Sequence, residues 1–290
     1  MDAGIRRAIT FGIATLAIAG TSWTALAADL GARPITKAPI IAPPVFSWTG
    51  CYIGGNVGWS RAEHDLTTFA APFPTNNIND AARTAIINSG IASLDQDGFT
   101  GGGQVGCNYQ AGSFVFGIEG DFNALDVGAS RDTGEFIEPI SGRRVRSIDS
   151  ISQDWFATVR GRVGYAWDRF LVYGTGGVAI TELNINKSFS WDFPGDLCPI
   201  LGTLNNCHVG GFSDTRTGWT AGGGFEWAFA PSWSVKAEYL FADFGSVSYV
   251  TANRGLAFNP PLQTATHTVD STLQVVRLGV NWRFGSMFGP

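Results

Sequence analysis

The stretch Thr272–Phe284, TLQVVRLGVNWRF, decides the fold of this chain because its side chains alternate in character from end to end. One parity carries Val276, Leu278, Val280, Trp282 and Phe284, and the other carries Val275, Arg277, Gly279, Asn281 and Arg283. A period of two over this length predicts a β-strand. In a soluble sheet the apolar face would cover a core, whereas in a membrane barrel it would face lipid and the basic face would line the lumen.

The composition favours an all-β chain. Of the 290 residues 13% are aromatic, 38 are glycine and only 15% are charged, against an average charged fraction of about 25%. After the N-terminus there is no apolar run of about 18 residues, so no helical membrane span is predicted. The net charge of −5 does not come from a concentrated run of charged residues. The charge pattern therefore gives no reason to expect nucleic-acid binding.

The first 27 residues have the pattern of a secretory signal peptide. Arg6 and Arg7 precede an apolar stretch, and an Ala-x-Ala site predicts cleavage between Ala27 and Ala28. The alternative, a retained anchor helix, is disfavoured because the apolar run is short for a span. Residues 28–47 are proline-rich and aperiodic, which predicts a flexible periplasmic leader.

Eight strand-like runs follow, separated in strict alternation by three short turns and four long polar segments. The runs are 48–61, 97–109, 114–126, 150–166, 170–184, 215–229, 233–249 and 272–284. This order predicts an eight-stranded antiparallel up-and-down transmembrane β-barrel over residues 48–285, with a short tail at 286–290 and both termini in the periplasm. A soluble sandwich has no reason to place every long connection at one end.

Charged residues share the parity opposite to the apolar side chains, which predicts a charged lumen. The residues are Glu119, Asp121, Arg160, Arg162, Glu226, Lys236, Glu238, Arg277 and Arg283. Adjacent strands bring Glu119 and Asp121 within reach of Arg160 and Arg162, and bring Arg277 within reach of Glu238. Because eight strands leave an interior just wide enough for side chains, an ion-paired plug is favoured over a constriction that passes small hydrophilic solutes.

Aromatic residues near the run ends predict two girdles at the membrane interfaces. They are Trp48, Tyr52, Trp59, Trp167, Phe170, Phe229, Trp233, Trp282 and Phe284. The run at 170–184 is ambiguous in parity.

Four cysteines in an exported chain predict two disulfides. Cys198 and Cys207 lie nine positions apart in one predicted loop, which favours a bridge between them. Cys51 and Cys107 lie near the same end of two neighbouring runs, so a bridge across the strands is a second hypothesis.

The sequence offers little support for a cofactor site or a metal site. Gly101, Gly103 and Gly106 fit a dinucleotide fingerprint by letter, but they lie inside an alternating run and open no helix. His64, His208 and His267 lack metal-ligand spacing. We therefore predict no cofactor, no metal and no catalytic residue. A rim enzyme, either lipid-modifying or proteolytic and assembled from loop residues, is kept as a third option.

Several stretches together resemble the small outer-membrane barrels of alphaproteobacteria known as the outer-membrane immunogenic protein or porin family. The matching pieces are Trp48–Gly50 with Tyr52–Gly58, Gly98–Phe99 with Gly101–Gly106, Gly117–Asp121, Arg160–Tyr165 and Lys236–Tyr239, along with Lys37–Pro39 in the leader. The resemblance implies an eight-stranded barrel inserted by the barrel-assembly machinery. It also implies an insertion signal in the last strand, here Arg277, Gly279, Trp282 and Phe284. The chain departs from the family in its residues after Phe284 and in its cysteines at 51 and 107.

From these observations we expect a non-enzymatic outer-membrane barrel that serves envelope integrity and surface contact through four long extracellular loops. Its expected partners are outer-membrane lipid and lipopolysaccharide, the assembly machinery during insertion, and host or surface ligands at the loops. The alternative is a porin for small hydrophilic solutes.

Overall fold

The structure, a computed structural model, describes residues 46–70, 92–137, 144–191, 206–253 and 264–284, together with positions 84, 87, 88 and 139. The strands are β1 Gly50–Ala70, β2 Ala92–Ala111, β3 Phe114–Asp132, β4 Phe136–Ile137, β5 Arg144–Trp167, β6 Phe170–Trp191, β7 Asn206–Ala230, β8 Trp233–Asn253 and β9 Thr264–Phe284. No helix within these ranges is long and apolar enough to cross a membrane. The predicted signal peptide with its Ala27–Ala28 cleavage site, residues 28–45 of the leader, Cys198 and the tail lie outside the described residues.

The eight long strands form a closed antiparallel ring, as the sequence predicts. Each pairs with its sequence neighbours, β3 pairs with β5, and β1 closes the ring against β9 with Cys51 opposite Phe284. The two-residue β4 was not predicted, and it pairs with the start of β5. All three predicted short turns are present, between β2 and β3, β5 and β6, and β7 and β8. The first contains Gly112, whose φ of 63° favours glycine. We call this end of the barrel the short-turn end and the other the long-loop end.

The strands extend much further toward the long-loop end than the sequence suggested. The prediction of loops over about 62–95, 127–149, 188–213 and 250–269 is wrong in part, because strand residues occupy both margins of each range. Strands of 19 to 25 residues are about twice the 9–11 residues that a tilted strand needs to cross a bilayer. The period of two continues in this region, but the outward residues become polar. A prediction that relies on lipid-facing apolar residues therefore places the strand ends too early.

The outer wall carries an apolar band that ends in an aromatic belt at each end of the barrel. At the short-turn end, Trp167, Phe170 and Trp227 stack on one another. At the long-loop end, Trp59 contacts Phe99 with ring centroids 4.7 Å apart. The next outward residue on β1 after Trp59 is Arg61, which is exposed to solvent and ion-paired. The apolar band is thus bounded as a membrane-facing surface should be.

Two predicted girdle residues are not in the belts. Trp48 and Tyr52 are 0% and 1% exposed, so both lie inside the barrel. Tyr52 shares its parity with the buried Asn56, which shows that it faces the lumen. The structure also shows which residues of the run at 170–184 face inward, because in β6 Leu171 and Tyr173 are buried whereas Val172 is exposed.

A disulfide joins Cys51 of β1 to Cys107 of β2. The two residues are directly opposite in the antiparallel register, with Cα atoms 4.0 Å apart. The bridge fastens the first two strands at the short-turn end, beside the seam where β1 meets β9. The predicted Cys198–Cys207 bridge involves a residue outside the described ranges and stays a prediction.

Glycines on the inner and outer walls meet different surroundings. A Cβ added to the inward Gly102 would lie 2.0 Å from the carbonyl oxygen of Phe122, whereas one added to the outward Gly103 would approach nothing closer than 3.8 Å. Gly102 therefore permits the close packing of β2 against β3, whereas Gly103 is not needed for strand packing.

We expect Gly102→Ala to destabilise the barrel by about 1–3 kcal/mol through overpacking. Gly103→Ala, its matched control in the same strand, should change stability by less than about 0.5 kcal/mol. The temperature at which the folded form converts to the slower-migrating unfolded form in gel electrophoresis measures both. Equal midpoints for the two variants would contradict the assignment of the inner face.

Candidate functional site: a charge cluster inside the barrel

Eight charged side chains from five strands converge in the lumen, and we call them the charge cluster. They are Glu119 and Asp121 of β3, Arg160 and Arg162 of β5, Glu226 of β7, Lys236 and Glu238 of β8, and Arg277 of β9. Each is at most 7% exposed. Strand alternation explains their convergence, because residues two apart on a strand point to the same face. Four cations and four carboxylates leave the cluster without net formal charge.

Arg160 contacts three of the four carboxylates. Its Nη2 lies 2.6 Å from Glu119 Oε1 and 2.8 Å from Asp121 Oδ2, and its Nη1 lies 3.0 Å from Glu238 Oε1. Its Nε donates to Thr158 Oγ1 at 2.8 Å. The planar guanidinium suits this role because its donors point in fixed directions.

Arg277 and Lys236 connect the same carboxylates from the opposite wall. Arg277 Nη2 lies 2.6 Å from Glu238 Oε2, and its Nη1 lies 3.1 Å from Asp121 Oδ1. Lys236 Nζ donates to both carboxylate oxygens of Glu119, at 2.8 and 2.9 Å. The cluster therefore spans the lumen from β3 to β8 and β9 as a continuous network.

Arg162 forms the side of the cluster nearest the short-turn end. Its Nη2 lies 2.8 Å from Glu226 Oε2, and its guanidinium carbon lies 4.0 Å from the ring centroid of Tyr173. Tyr52 links Arg162 to Glu119, since its hydroxyl donates to Glu119 Oε2 at 2.6 Å and accepts from Arg162 at 2.8 Å.

Neutral polar side chains complete the hydrogen bonding of the carboxylates. Ser234 Oγ and Asn281 Nδ2 donate to Glu226 Oε1 at 2.6 and 2.9 Å, and the Tyr173 hydroxyl donates to Glu238 Oε1 at 3.0 Å. Buried charges are tolerated when they are paired and fully hydrogen-bonded. These four residues, counting Tyr52, were not predicted, although their inward parity could have identified them.

Apolar residues pack inside the barrel on both sides of the cluster. The short-turn layer consists of Trp48, Val115, Ala166, Leu171, Tyr173 and Ala228, with Phe46 packed against it. The long-loop layer consists of Ala62, Leu125, Val127, Phe156, Ala179, Leu240, Ala242, Phe244, Leu273 and Val275. A further apolar group, which includes Leu66, Ile151 and Val269, lies beyond the second layer.

Trp48 fixes the short-turn layer in place. Its backbone N–H donates to Gln110 Oε1 at 2.7 Å, and its indole Nε1 donates to the carbonyl oxygen of Asp168 at 3.1 Å. The residue precedes β1, so the chain folds back under the barrel before the first strand begins.

Arg283 does not belong to the cluster, which corrects the sequence-based prediction. Its side chain points inward, but among the described residues it forms no ion pair. It donates to the carbonyl oxygen of Pro231 at 3.0 Å and lies 4.3 Å from the ring centroid of Phe46. It sits at the short-turn mouth, six residues along β9 from Arg277, which is about 20 Å in an extended strand.

The other residues of the predicted insertion signal share β9 with Arg277. Gly279 faces inward beside Lys236, to whose Cγ an added Cβ would lie 3.2 Å. Trp282 and Phe284 are exposed on the outer wall, with ring centroids 5.4 Å apart.

A second buried ion pair lies nearer the long-loop end. Lys187 Nζ is 2.5 Å from Asp149 Oδ1, and both side chains are at most 2% exposed. Asp149 falls at the margin of a predicted loop and Lys187 just beyond a predicted strand, so the sequence pattern does not indicate this pair.

The histidines whose side chains are described, His64 and His267, lie on β1 and β9. No group of three or more His, Cys, Asp or Glu residues in the described ranges could hold a metal. His267 lies between two threonine hydroxyls, Thr68 at 2.7 Å and Thr251 at 2.9 Å. Gly101, Gly103 and Gly106 lie within β2. The side chain of His208 is outside the described set.

We expect Arg160→Met to lower the free energy of unfolding by about 3–5 kcal/mol, since it leaves three buried carboxylates short of a partner. Arg61→Met is the matched control, because Arg61 is exposed and pairs with Glu63 and Asp95 at the surface, where such pairs contribute at most about 1 kcal/mol. Adding Asp121→Asn to Arg160→Met should recover part of the loss. Denaturant titration of the folded barrel measures all three. Equal losses for the two arginine variants would contradict the buried network.

His64 lies beyond the long-loop belt and gives a pH-dependent prediction. Burial lowers the pKa of its imidazole from 6.5 to about 4, while the carboxylates of Asp95 and Asp65 partly oppose the shift. The unfolded chain therefore binds more protons between these two values. Stability is complete above pH 6.5 and falls as the pH drops toward 4, by up to roughly 3 kcal/mol.

His64→Gln should remove this part of the pH dependence. Unfolding midpoints at several pH values from 4 to 7 measure the effect. If the wild type and the variant lose stability in parallel, another group is responsible.

Comparison with known proteins agrees with the ring of strands. Residues 37–284 match the family model described as outer membrane protein beta-barrel domain. The 31 kDa outer-membrane immunogenic protein of Brucella melitensis is 33% identical over 264 residues, which cover 90% of this chain and 94% of the relative. The 22 kDa outer membrane protein of Rhizobium leguminosarum bv. viciae is 28% identical over 215 residues, covering 73% of this chain and 71% of the relative.

Among solved structures, the outer membrane protein OprG from Pseudomonas aeruginosa aligns with a TM-score of 0.41 at 13% identity, covering 82% of this chain and 99% of that one. The family match extends over almost all the described residues and includes every strand. The chain belongs to the outer membrane protein beta-barrel family, in the group of outer-membrane immunogenic proteins, and its place is the bacterial outer membrane.

Proposed function

We propose that this protein is a non-conducting, non-enzymatic outer-membrane barrel that contributes to envelope integrity and presents its long connections for surface interactions. In this proposal the short turns and both termini lie in the periplasm and the four long connections lie outside the cell. The observation that carries the proposal is the charge cluster between two apolar layers. A small solute would have to displace both layers and separate the ion pairs between them.

A porin for small hydrophilic solutes is the alternative. Such a channel needs a continuous polar path, with charges that face water rather than one another. Here Arg160 and Arg277 are each 1% exposed and are bonded to carboxylates. Opposite charges in contact offer a passing ion no net attraction, and breaking them costs several kcal/mol. These contacts support a structural role for the lumen residues.

The length of the barrel supports the surface role. Beyond the long-loop belt the outer wall is polar, with exposed residues such as Arg61, Asp65 and Asp270. Strands in this region would lie above the hydrocarbon, at the level of lipopolysaccharide sugars, and would hold the long connections away from the membrane. We propose lipopolysaccharide and host or surface ligands as partners there. We further propose that the assembly machinery recognises Arg277, Gly279, Trp282 and Phe284 of the closing strand.

Single-channel recording in planar bilayers tests the closed lumen. Purified, heat-modifiable wild-type protein should give no reproducible conductance steps. Arg160→Ala combined with Trp48→Gly should give steps or unstable leakage in the fraction that still folds, because it removes the central cation and part of the short-turn layer. Regular steps of uniform size from the wild type would establish the porin alternative instead. Turnover of lipid or peptide by the same preparation would overturn the non-enzymatic role.

A further inference from the structure

The outer wall has a groove across the seam where β9 closes against β1. Its volume is about 700 Å³, within the rough range of small-molecule sites. The register places Gly55 opposite Val280 and Val57 opposite Leu278 across the seam. The groove continues over β8 to Trp227 on β7, where side chains become large. Most of its lining residues face outward, so it is a depression on the membrane-facing wall, and the inward residues Asn56 and Lys236 also border it.

Small residues create the depression, and at the outward Gly55 the fold does not require a small residue. A Cβ added to Gly55 would approach nothing closer than 3.7 Å, so a larger side chain would fit. Its inward neighbour Gly54 differs, because there an added Cβ would lie 2.2 Å from Asn281 Oδ1. Packing within the chain therefore explains Gly54 and leaves Gly55 unexplained. Ala237 of β8 is paired with Leu278 of β9, and its small side chain leaves the depression open in the same way.

The position of the groove restricts what can fill it. Its outward-facing side chains are apolar, and it lies between the two aromatic belts, at the depth of the hydrocarbon. Its far end is bounded by Trp227, which stacks with Phe170 at 6.2 Å in the short-turn belt. With the short turns in the periplasm, this end belongs to the periplasmic leaflet, where phospholipid rather than lipopolysaccharide supplies the acyl chains.

We propose that the groove holds one acyl chain of a phospholipid from the periplasmic leaflet, ordered against the β9–β1 seam. The proposal rests on the orientation given under the proposed function and does not depend on the closed lumen. In hydrocarbon the gain comes from van der Waals contact, since lipid and side chain are equally apolar. A chain lying against Gly55 reaches the backbone and contacts the walls on both sides, which a flat wall does not allow.

A second copy of the barrel fits the groove less well. Closed dimers are mostly two-fold symmetric, so the same patch of each subunit would meet at the interface. Two depressions facing each other leave a void and forfeit contacts. A flexible chain adapts to a concave surface without this cost.

Native mass spectrometry of the full chain, extracted in mild detergent and exchanged into nanodiscs of phospholipid, tests the proposal. The wild type should retain one phospholipid through release from the nanodisc. Gly55→Leu and Ala237→Leu fill the groove and should lower the retained fraction by about fivefold. Gly161→Leu is the matched control on β5, across the barrel, where an added Cβ approaches nothing closer than 3.9 Å. It should retain lipid as the wild type does.

Each other result overturns the proposal. Equal retention by Gly55→Leu and the wild type would show that the bound lipid lies elsewhere, and no retained lipid would show that the groove holds none. Retention of lipopolysaccharide, with extraction from native membranes, would assign the groove to the other leaflet. A dimer that Gly55→Leu dissociates would assign the groove to a second copy. Conductance of the same preparations reports separately on the lumen, so the two proposals fail independently.

Discussion

The pairing of buried opposite charges is the interaction on which the interior of this barrel depends. Arg160 alone contacts Glu119, Asp121 and Glu238. None of these groups could be withdrawn from water singly, because an unpaired buried charge costs several kcal/mol. Their mutual satisfaction lets an eight-stranded barrel close around polar side chains, while its outer wall stays apolar enough for lipid. The tyrosine and amide donors around the carboxylates are part of the same requirement.

The outer wall of the described strands meets two environments, while inward side chains are buried on both sides of the long-loop belt. Between the aromatic belts the outward residues are apolar. Beyond the long-loop belt many of them are polar, although Phe69 and Val250 are exposed there, and inward residues such as Leu66 remain buried. The part of the barrel beyond the long-loop belt therefore resembles a soluble β-barrel, because the burial of apolar side chains stabilises it. The pairing of β1 with β9 continues through this boundary without interruption, whereas the pairing of β7 with β8 is interrupted between Val209 and Trp219.

The sequence predicted the ring, the turns and the pairing of Glu119 and Asp121 with the arginines of the next strand, because period-two alternation and strand adjacency are local properties. It failed where a residue's role depends on the position of the membrane. Polar outward residues after Trp59 were taken as a loop, although Ala62, Leu66 and Ala70 kept the inward parity. Trp48 and Tyr52 were assigned to the girdle because aromatic type at a strand end does not distinguish the inside from the outside. Arg283 has the parity of Arg277, but within the part of the chain that the structure describes it forms no ion pair.

The closure of the lumen is a proposal, and the access of a small thiol reagent to the charge cluster is its direct test. Ser234 is 0% exposed and lies beside Glu226, so Ser234→Cys replaces one small side chain by another between the two apolar layers. In a chain with Cys198 and Cys207 changed to serine, a charged methanethiosulfonate should leave this thiol unmodified while the barrel is folded and should modify it after heating. A cysteine at the exposed turn position Ala111 should react at once in both states. Modification of folded Ser234→Cys as fast as Ala111→Cys would contradict the account, because it would show that water and solutes reach the charges.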